Sequence, residues 1–413
     1  MVMWRSGIVC AALVAACGGA SGSDIDGPPP SGPDASVTGT GGGEGGAETG
    51  VPAVDAGIDS STPVVCATGT ADCDGIAANG CETNTLVDDA RCGGCGGAHR
   101  CASGSSCQAG ACVVGPATVV AAGTFSVNDS VCLTLDASFI YVASGKANGD
   151  VYRVSKTGGP PASIAQNQAT PRGIAADAKF VYWASTGSGI VTRADPDGTS
   201  PKALNTAGAA PGVNTVSVDA NGVYWGNATI GTVSRVDKDG MNGKQLAPAA
   251  GTLGAGHVAS VVASGGFVYY GDLMVGSVMR VPADGSAAPS VVAAGYANAR
   301  GISVNGTTVT FVTSATSGQV LSVLASGPPA TPVVVGASQG IPVGTDSQGT
   351  ATYWANAAVA GGAANTGSIM KKDGANAAVP LATAQPFPAC IAVDASSVYW
   401  INGFGASVMR VAR

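Results

Sequence analysis

The sequence has few aromatic residues, few charged residues and almost no histidine. Of its 413 residues, 5% are aromatic, 11% are charged and two are histidine. No apolar run reaches the 18 or so residues that a membrane-spanning helix needs. No basic run alternates with aromatic residues, as it does in many nucleic-acid-binding proteins. We therefore expect neither a membrane-spanning helix nor a nucleic-acid partner.

Glycine and proline are abundant instead, with 63 and 23 residues. The hydrophobic share of 45% comes mostly from alanine and valine. Valine favours strands, and glycine and proline favour the turns that connect them. The composition therefore predicts an all-β protein.

The N-terminus has the pattern of an export signal over residues 1–16. A single cation, Arg5, precedes a short apolar stretch that ends in small residues before Cys17. The pattern resembles a bacterial lipobox, which implies lipidation of Cys17; ordinary secretion with cleavage nearby is the alternative. Gly18 stands where an aspartate would retain a lipoprotein at the inner membrane. We expect a lipid-anchored protein at the outer membrane or cell surface.

Two segments follow the signal. Residues 17–63 contain no aromatic residue, and their polar, glycine-rich composition predicts a disordered linker. Residues 64–116 hold eight cysteines, which predict a small disulfide-rich module with a pairing that the spacing leaves open. These cysteines are Cys66, Cys73, Cys81, Cys92, Cys95, Cys101, Cys107 and Cys112.

The module also contains two candidate metal sites. Cys92 and Cys95 have the spacing of a zinc knuckle, but no second pair follows, so disulfides are the favoured interpretation. Oxygen ligands alternate with glycines at Asp72, Asp74, Asn79 and Glu82, which could hold calcium; local turn formation by these side chains is the alternative. The string "CDGIAANGCETNTLVDDARCGGCGGAHRC" resembles cysteine-rich modules of Gram-negative surface lipoproteins, which implies location and no activity.

Residues 117–413 repeat about every 42 residues, and each unit contains four strand-like pieces. The clearest piece carries an aromatic residue, as in "VYWAS" and "VYWGN". The aromatic positions are Tyr141, Tyr182, Tyr224, Tyr269, Phe311, Tyr353 and Tyr399. Seven four-stranded units predict a seven-bladed β-propeller, because one blade cannot bury both faces without neighbours.

The seventh unit ends after its third strand, and the missing piece, "ATVVAAG", precedes the first unit. We therefore expect an N-terminal outer strand to complete the last blade. Cys132 and Cys390 occupy equivalent first-strand positions in units one and seven, which would be neighbours in a closed ring. This placement predicts a disulfide between them; two buried thiols are the alternative.

The strings "VYWASTGSGIVTRADPDG" and "VYWGNATIGTVSRVDKDG" resemble the YWTD repeats of the low-density-lipoprotein-receptor class and, more loosely, other bacterial propeller repeats. The resemblance covers most of residues 117–413 and implies a propeller. This chain has Ala-Ser or Gly-Asn where those repeats have Thr-Asp, and seven units where they have six. Their ligand-binding residues therefore do not carry over.

Few residues point to catalysis. His257 lies in a loop without a nucleophile-elbow pattern, so the sequence offers no catalytic triad. Acidic residues recur five positions before the tyrosine, at Asp136, Asp177, Asp219 and Asp394, and arginines recur after it, at Arg153, Arg193, Arg235, Arg280 and Arg410. Their regular recurrence favours turn formation and blade structure over a metal site.

The loops between the second and third strands of each unit break the repeat. Apolar side chains occur there at Ile230, Leu273, Met274 and Phe404, and unit six has a long insertion at residues 356–367. Exposed apolar groups on one face suit a partner surface, although they could instead pack over the channel rim. We expect a monomeric, non-enzymatic protein without a cofactor that binds a protein or glycan through this face. The alternatives are a propeller enzyme, such as a metal-dependent lactonase or a carbohydrate-active enzyme, and an envelope component docked by the cysteine module.

Overall fold

The computed structural model describes most of the chain beyond the linker. It covers residues 65–73, 81, 83–87, 90–95, 105–108, 111–122, 132–205, 209–247, 258–273, 275–326, 329–357, 366–403 and 407–413. The predicted signal peptide, Cys17 and the linker lie outside these residues. All regular elements in the described ranges are strands, and none is a helix that could cross a membrane.

The described residues of the cysteine module contain four short strands in two two-stranded sheets. They are β1 (Thr70–Ala71), β2 (Thr83–Asn84), β3 (Ser105–Gln108) and β4 (Ala111–Val114). Three disulfides join Cys66 to Cys81, Cys73 to Cys95 and Cys92 to Cys107. These bonds resolve part of the pairing that the sequence left open, and Cys92 and Cys95 belong to different disulfides rather than to one zinc site.

The rest of the chain forms seven four-stranded antiparallel sheets. After β5 (Thr118–Ala122), blade 1 contains β6 (Cys132–Leu135), β7 (Phe139–Ala143), β8 (Gly149–Ser155) and β9 (Ala162–Gln168). Blade 2 contains β10 (Pro171–Ala176), β11 (Val181–Ser185), β12 (Ile190–Ala194) and β13 (Lys202–Ala203). Blade 3 contains β14 (Val213–Val218), β15 (Val223–Asn227), β16 (Thr232–Val236) and β17 (Lys244–Ala247).

Blades 4 to 7 repeat this order. Blade 4 contains β18 (Val258–Ser264), β19 (Phe267–Asp272), β20 (Ser277–Pro282) and β21 (Ser290–Ala293). Blade 5 contains β22 (Ala299–Asn305), β23 (Thr308–Thr313), β24 (Gly318–Leu324) and β25 (Val333–Gln339). Blade 6 contains β26 (Pro342–Gln348), β27 (Ala351–Asn356), β28 (Gly367–Asp373) and β29 (Val379–Gln385). Blade 7 contains β30 (Pro388–Val393), β31 (Ser397–Asn402) and β32 (Ser407–Ala412).

The N-terminal strand completes blade 7. Strand β5 pairs antiparallel with β32, with Thr118 opposite Arg410 and Ala122 opposite Ser407. The first strands of successive blades lie side by side around the ring, and β30 of blade 7 lies beside β6 of blade 1. The seven-bladed propeller and its closure by an N-terminal outer strand are therefore confirmed.

The repeated aspartate and tyrosine act together in the first hairpin of a blade. The Asp136 carboxylate accepts the backbone N–H groups of Ser138 and Phe139 at 2.7 and 2.6 Å, and the Tyr141 hydroxyl donates to it at 2.7 Å. The same bonds form at Asp177 and Asp219. Burial raises the pKa of Tyr141, and the adjacent carboxylate raises it further. The predicted turn-forming role of these aspartates is confirmed.

Four of the five repeated arginines donate hydrogen bonds to a neighbouring blade. Arg193 stacks on Phe180 of its own blade, 4.1 Å from the ring centre, and donates to the carbonyl oxygen of Lys238 in the next blade. Arg410 of blade 7 donates in the same way to the carbonyl of Lys156 in blade 1, at 3.1 Å. These side chains are part of the blade framework, as their recurrence predicted.

The predicted disulfide between Cys132 and Cys390 is wrong in this structure. Cys132 is disulfide-bonded, but not to Cys390, whose Sγ lies 3.8 Å away, against about 2.05 Å for a bond. The buried Cys390 sulfur instead accepts the backbone N–H of Leu133 at 3.5 Å. The adjacency of blades 1 and 7 was predicted correctly, but the sulfur is directed at the neighbouring backbone.

Cys390 occupies a position at which blades 3 and 4 place a small polar side chain against the next blade. Thr215 Oγ1 accepts the N–H of Val261 at 3.3 Å, and Ser260 Oγ accepts that of Ile302 at 3.2 Å. The cysteine sulfur therefore takes the place of a hydroxyl oxygen in a contact between innermost strands.

Candidate functional site

One end of the propeller carries the loops between second and third strands and the connections between blades, because the strands of each sheet alternate in direction. Ile230 is 42% exposed at this end, and Val275 is 51% exposed. Leu273 is half-buried. Met274, Phe404 and residues 358–365 of the unit-six insertion lie outside the described residues. The structure therefore places two of the apolar loop side chains, Ile230 and Leu273, at the predicted face and leaves Met274 and Phe404 as predictions.

Ile230 lies at the edge of a groove between blades 2 and 3, with a volume of about 470 Å³. We call this the blade 2/3 groove. Its walls include Trp225, Asn227 and Asn205 towards the loop face, and Ser234 and Gln245 further down the blade.

A short outer strand accompanies this groove. Strand β13 has two residues, whereas the outer strand β9 of blade 1 has seven. The short strand covers less of the side of blade 2 that adjoins blade 3. Asn205 lies two residues beyond it: its Oδ1 accepts the N–H of Val191 at 2.7 Å, and its Nδ2 donates to the carbonyl of Gly189 at 2.9 Å. This amide side chain therefore ends the sheet where an outer strand would otherwise continue.

A second amide holds the loop that carries Ile230. Asn227 Oδ1 accepts the N–H groups of Thr229 and Ile230 at 2.9 and 3.1 Å. Its Nδ2 donates to the carbonyl of Ala210 in the connection from blade 2, at 3.0 Å. The loop and the connection are therefore fixed to each other, and Ile230 is exposed from a well-defined turn rather than from a long loop.

Two cationic side chains lie at the far end of the groove. Arg235 forms an ion pair with Asp237 at 2.7 Å, and its guanidinium lies 6.0 Å from the ring centre of Tyr224. Lys244 donates to the carbonyl of Asp284 at 3.0 Å. The groove therefore combines an aromatic side chain, amides, hydroxyls and cations, which is a chemistry that can bind hydroxylated or acidic groups.

A second cavity of about 450 Å³ lies between blades 5 and 6. Its walls include Asn305, Thr308, Gly349 and Thr350 from first-to-second-strand hairpins, which belong to the opposite end of the propeller. It contains none of the residues predicted to bind a partner.

The structure tests the metal candidates only in part. Asp72 is described, whereas Asp74, Asn79 and Glu82 lie outside the described residues, so the calcium hypothesis stays a prediction. Among the described residues, no three His, Cys, Asp or Glu side chains lie close enough to hold a metal ion. His99 and His257 both lie outside the described ranges.

Comparison with solved structures gives matches at low identity. A streptogramin B lyase matches with a TM-score of 0.60 and 11% identity, over 72% of this chain and 97% of the lyase. A catalytically inactive histidine-to-alanine variant of virginiamycin B lyase from Staphylococcus aureus, solved with quinupristin, matches with a TM-score of 0.55 and 13% identity, over 72% of this chain and 99% of the lyase. These likenesses show the fold alone. No family model and no curated protein matches the chain.

The sequence points to Ile230 but not to the groove beside it. Trp225 belongs to the repeated strand motif, and neither Asn205 nor Gln245 stands in a motif. One signal is present in the sequence. The string "SPKALN" contains fewer strand-forming residues than an outer strand such as "VVVGASQ". The short outer strand of blade 2 depends on which residues pair between strands, and the repeat pattern does not specify that pairing.

Proposed function

We propose that this protein is a binding propeller that takes a protein or glycan partner in the blade 2/3 groove and on the adjoining loop face. The exposure of Ile230 at the edge of a groove that also contains Trp225 carries this proposal. An apolar side chain held in a defined turn loses little conformational freedom on binding, which favours its use as an anchor.

A glycan fits the lining of the groove better than a flat protein surface does. Sugars are bound by amides, hydroxyls and charged groups next to an aromatic side chain; Gln245 and Ser234 provide the amide and the hydroxyl here, beside Trp225. A protein partner would instead use Ile230 and Val275 on the loop face.

An enzymatic function is the second candidate. The match to streptogramin B lyase supports it only through the fold, because the identity is 11%. The variant in the virginiamycin B lyase structure loses catalysis when one histidine is replaced. An equivalent role in this chain would have to fall to His99 or His257.

Binding can be tested with a glycan array and with cross-linking capture on intact cells, using the wild type and the Ile230→Asp and Gln245→Ala variants. We expect loss of about tenfold or more in affinity for Ile230→Asp, because a charge replaces the apolar anchor. Gln245→Ala should weaken a glycan more than a protein partner.

Leu324→Asp is the matched control, since Leu324 is 58% exposed at the end of β24 in blade 5 and is not part of the groove lining. Equal binding by the Ile230→Asp and Leu324→Asp variants would rule out the groove as the binding site.

The tether is a separate part of the proposal. We propose that lipid on Cys17 holds the propeller at the cell surface, with the linker providing reach. Replacing Cys17 by serine should move the protein from the membrane fraction to the soluble fraction. Retention of the Cys17→Ser protein in the membrane would contradict lipid anchoring.

A further inference from the structure

The interface between blades 5 and 6 departs from the repeat on both of its sides. In the other six blades, a tyrosine of the second strand lies opposite an arginine or a lysine of the third strand. Blade 5 has Thr310 opposite Ser322 at this position. Phe311, the aromatic residue of this unit, aligns with Trp225, one position beyond the tyrosine. Two large side chains are therefore replaced by two small hydroxyl-bearing ones.

The replaced side chains fill the contact between blades elsewhere in the ring. In blades 1, 2 and 4, the arginine lies over a phenylalanine two residues before the tyrosine, 4.6, 4.1 and 4.9 Å from the ring centre. The same arginines donate to a carbonyl oxygen of the next blade. Blade 5 has Thr308 in the phenylalanine position. It has Asn305 in place of the turn-forming aspartate, and Asn305 Nδ2 donates to the carbonyl of Gly349 in blade 6 at 2.7 Å.

Blade 6 contributes a second set of departures. Ser347 lies opposite Thr352, and Thr352 lies opposite Lys372, on three adjacent strands. The equivalent three positions are aliphatic in all the other blades. In blade 3 they are the buried residues Val218, Val223 and Val236. Lysine is rarely placed at a core position, so Lys372 stands where the blade structure elsewhere needs only apolar packing.

The two sets of departures meet in the cavity of about 450 Å³ between these blades, which we call the blade 5/6 cavity. Its volume is that of a small-molecule site. A side chain that breaks a repeat does not serve the need that all blades share, and local departures of this kind occur at functional sites. All the substituted side chains line this one cavity: Asn305, Thr308, Thr310, Ser322, Ser347, Thr352 and Lys372.

The charge of the cavity is positive. Of the described residues that line it, Lys372 is the only charged one. Its neighbours along the strand, Lys371 and Asp373, pair with each other at 3.8 Å, and Asp373 also accepts the Thr350 hydroxyl at 2.6 Å. Successive side chains of a strand point to opposite sides, which separates Lys372 from that pair. One cation among several hydroxyl groups suits an anion that itself carries hydroxyl groups.

We propose that the blade 5/6 cavity binds a small hydroxylated anion, a sugar acid or a sugar phosphate. Lys372 pairs with the carboxylate or phosphate, and the hydroxyl groups of Thr310, Ser322 and Thr352 bond the hydroxyl groups of the ligand. The cavity shares no residue with the blade 2/3 groove, so its test does not depend on the proposed function.

The test is calorimetric titration of the full chain at low ionic strength with glucuronate, glucose 6-phosphate and neutral glucose. We expect the wild type to bind at least one of the two acidic probes with a Kd below about 10 mM. Glucose should bind about tenfold more weakly, because it lacks the group that pairs with Lys372. Lys372→Gln should raise the Kd for the acidic probe about tenfold and leave that for glucose unchanged.

A second variant tests the cavity by filling it. Thr308→Phe combined with Thr310→Tyr restores the aromatic pair of blades 1, 2 and 4, in which the ring centres lie 6.3 Å apart. This variant should lose binding of every probe, because the rings occupy the space of the ligand. Its thermal unfolding, compared with that of the wild type, verifies that the propeller is folded.

Lys179→Gln is the matched control, because it removes one positive charge from blade 2 and does not line the cavity. Its Kd should stay within about twofold of the wild-type value. Tighter binding of glucuronate identifies a sugar acid, and tighter binding of glucose 6-phosphate identifies a sugar phosphate. Absence of binding to the wild type, equal Kd values for the Lys372→Gln and Lys179→Gln variants, or undiminished binding by the folded double variant would overturn the proposal.

Discussion

The cysteine module and the propeller use different means to hold a chain in place. Among the described residues of the module, the buried hydrophobic side chains are Cys92 and Cys107, which are bonded to each other. The propeller instead buries a large aromatic residue in the second strand of each blade, with Trp183, Trp354 and Trp400 almost inaccessible to water. One region depends on covalent cross-links, and the other depends on packing between repeated blades.

This difference follows from size. A segment of about 50 residues cannot bury enough apolar surface to offset the conformational entropy of its chain, so disulfides take over by restricting the unfolded state. Each blade is also small, but neighbouring blades cover both of its faces. Stability of the propeller therefore comes from contacts between blades, and the same contacts limit which residues are left for function.

The largest expected change in stability is that of the cysteine module. Replacing Cys92 and Cys107 by serine removes a cross-link between residues 15 positions apart. Its loss should lower the free energy of unfolding of the module by about 3 kcal/mol. We expect hydrogen exchange to show opening of residues 65–95 while the blades keep their protection. Equal loss of protection in both regions would show that the difference between cross-linking and packing is not real.

A smaller effect is expected at Asp346, between blades 6 and 7. Burial raises the pKa of its carboxyl to about 7, against about 3.9 in the unfolded chain. The folded state therefore keeps a proton that the unfolded state has lost, and stability should fall as pH rises from about 4 through 7. Asp346→Asn should remove this pH dependence.

Chemical denaturation of the wild type and the Asp346→Asn variant at several pH values measures this effect. The Asn variant loses one acceptor, so it should be less stable at low pH and close to the wild type at high pH. Parallel stability curves for the two proteins would contradict the assignment.

The smallest effect is expected for ion pairs between blades. Lys156 of blade 1 pairs with Asp394 of blade 7 at 2.8 Å, and Lys238 pairs with Asp177 at 2.8 Å between blades 3 and 2. Burial favours a raised pKa for Asp394, but hydrogen bonds from Lys156 and from backbone N–H groups outweigh it and hold the pKa below its usual value. This contribution should be lost as pH falls through the folded pKa.

Lys156→Gln should lower the free energy of unfolding by about 0.5 kcal/mol. Lys238→Gln is its matched comparison. Denaturant titration at pH 7 measures both. If the Lys156–Asp394 pair slows the opening of the ring, Lys156→Gln will also unfold faster than Lys238→Gln. Equal unfolding rates of the two variants would show that blades 1 and 7 are held together no differently from the other blades.

The repeat made much of the fold predictable. Seven aromatic positions at regular spacing indicated seven blades, and the truncated seventh unit indicated the strand that closes the ring. The roles of the repeated aspartates and arginines were also predictable, because a residue that recurs in most blades has to satisfy a need that all blades share. The sequence could not indicate the direction of the Cys390 sulfur, since two cysteines at equivalent positions can bond to each other or contact a backbone.

The candidate sites were less predictable because they arise where strands from different repeats meet. Ile230 was visible as an apolar residue in a loop, but the groove beside it depends on the two-residue length of β13. Closure of the ring places the innermost strands of blades 1 and 7 side by side, although they are distant in the chain. The amino-acid sequence by itself determined the number of blades, the turns and the cross-linked module, because these depend on local pattern and composition. The tertiary structure alone decided which side chains share a groove or a channel, because those neighbours are set by packing between blades that are distant in the chain.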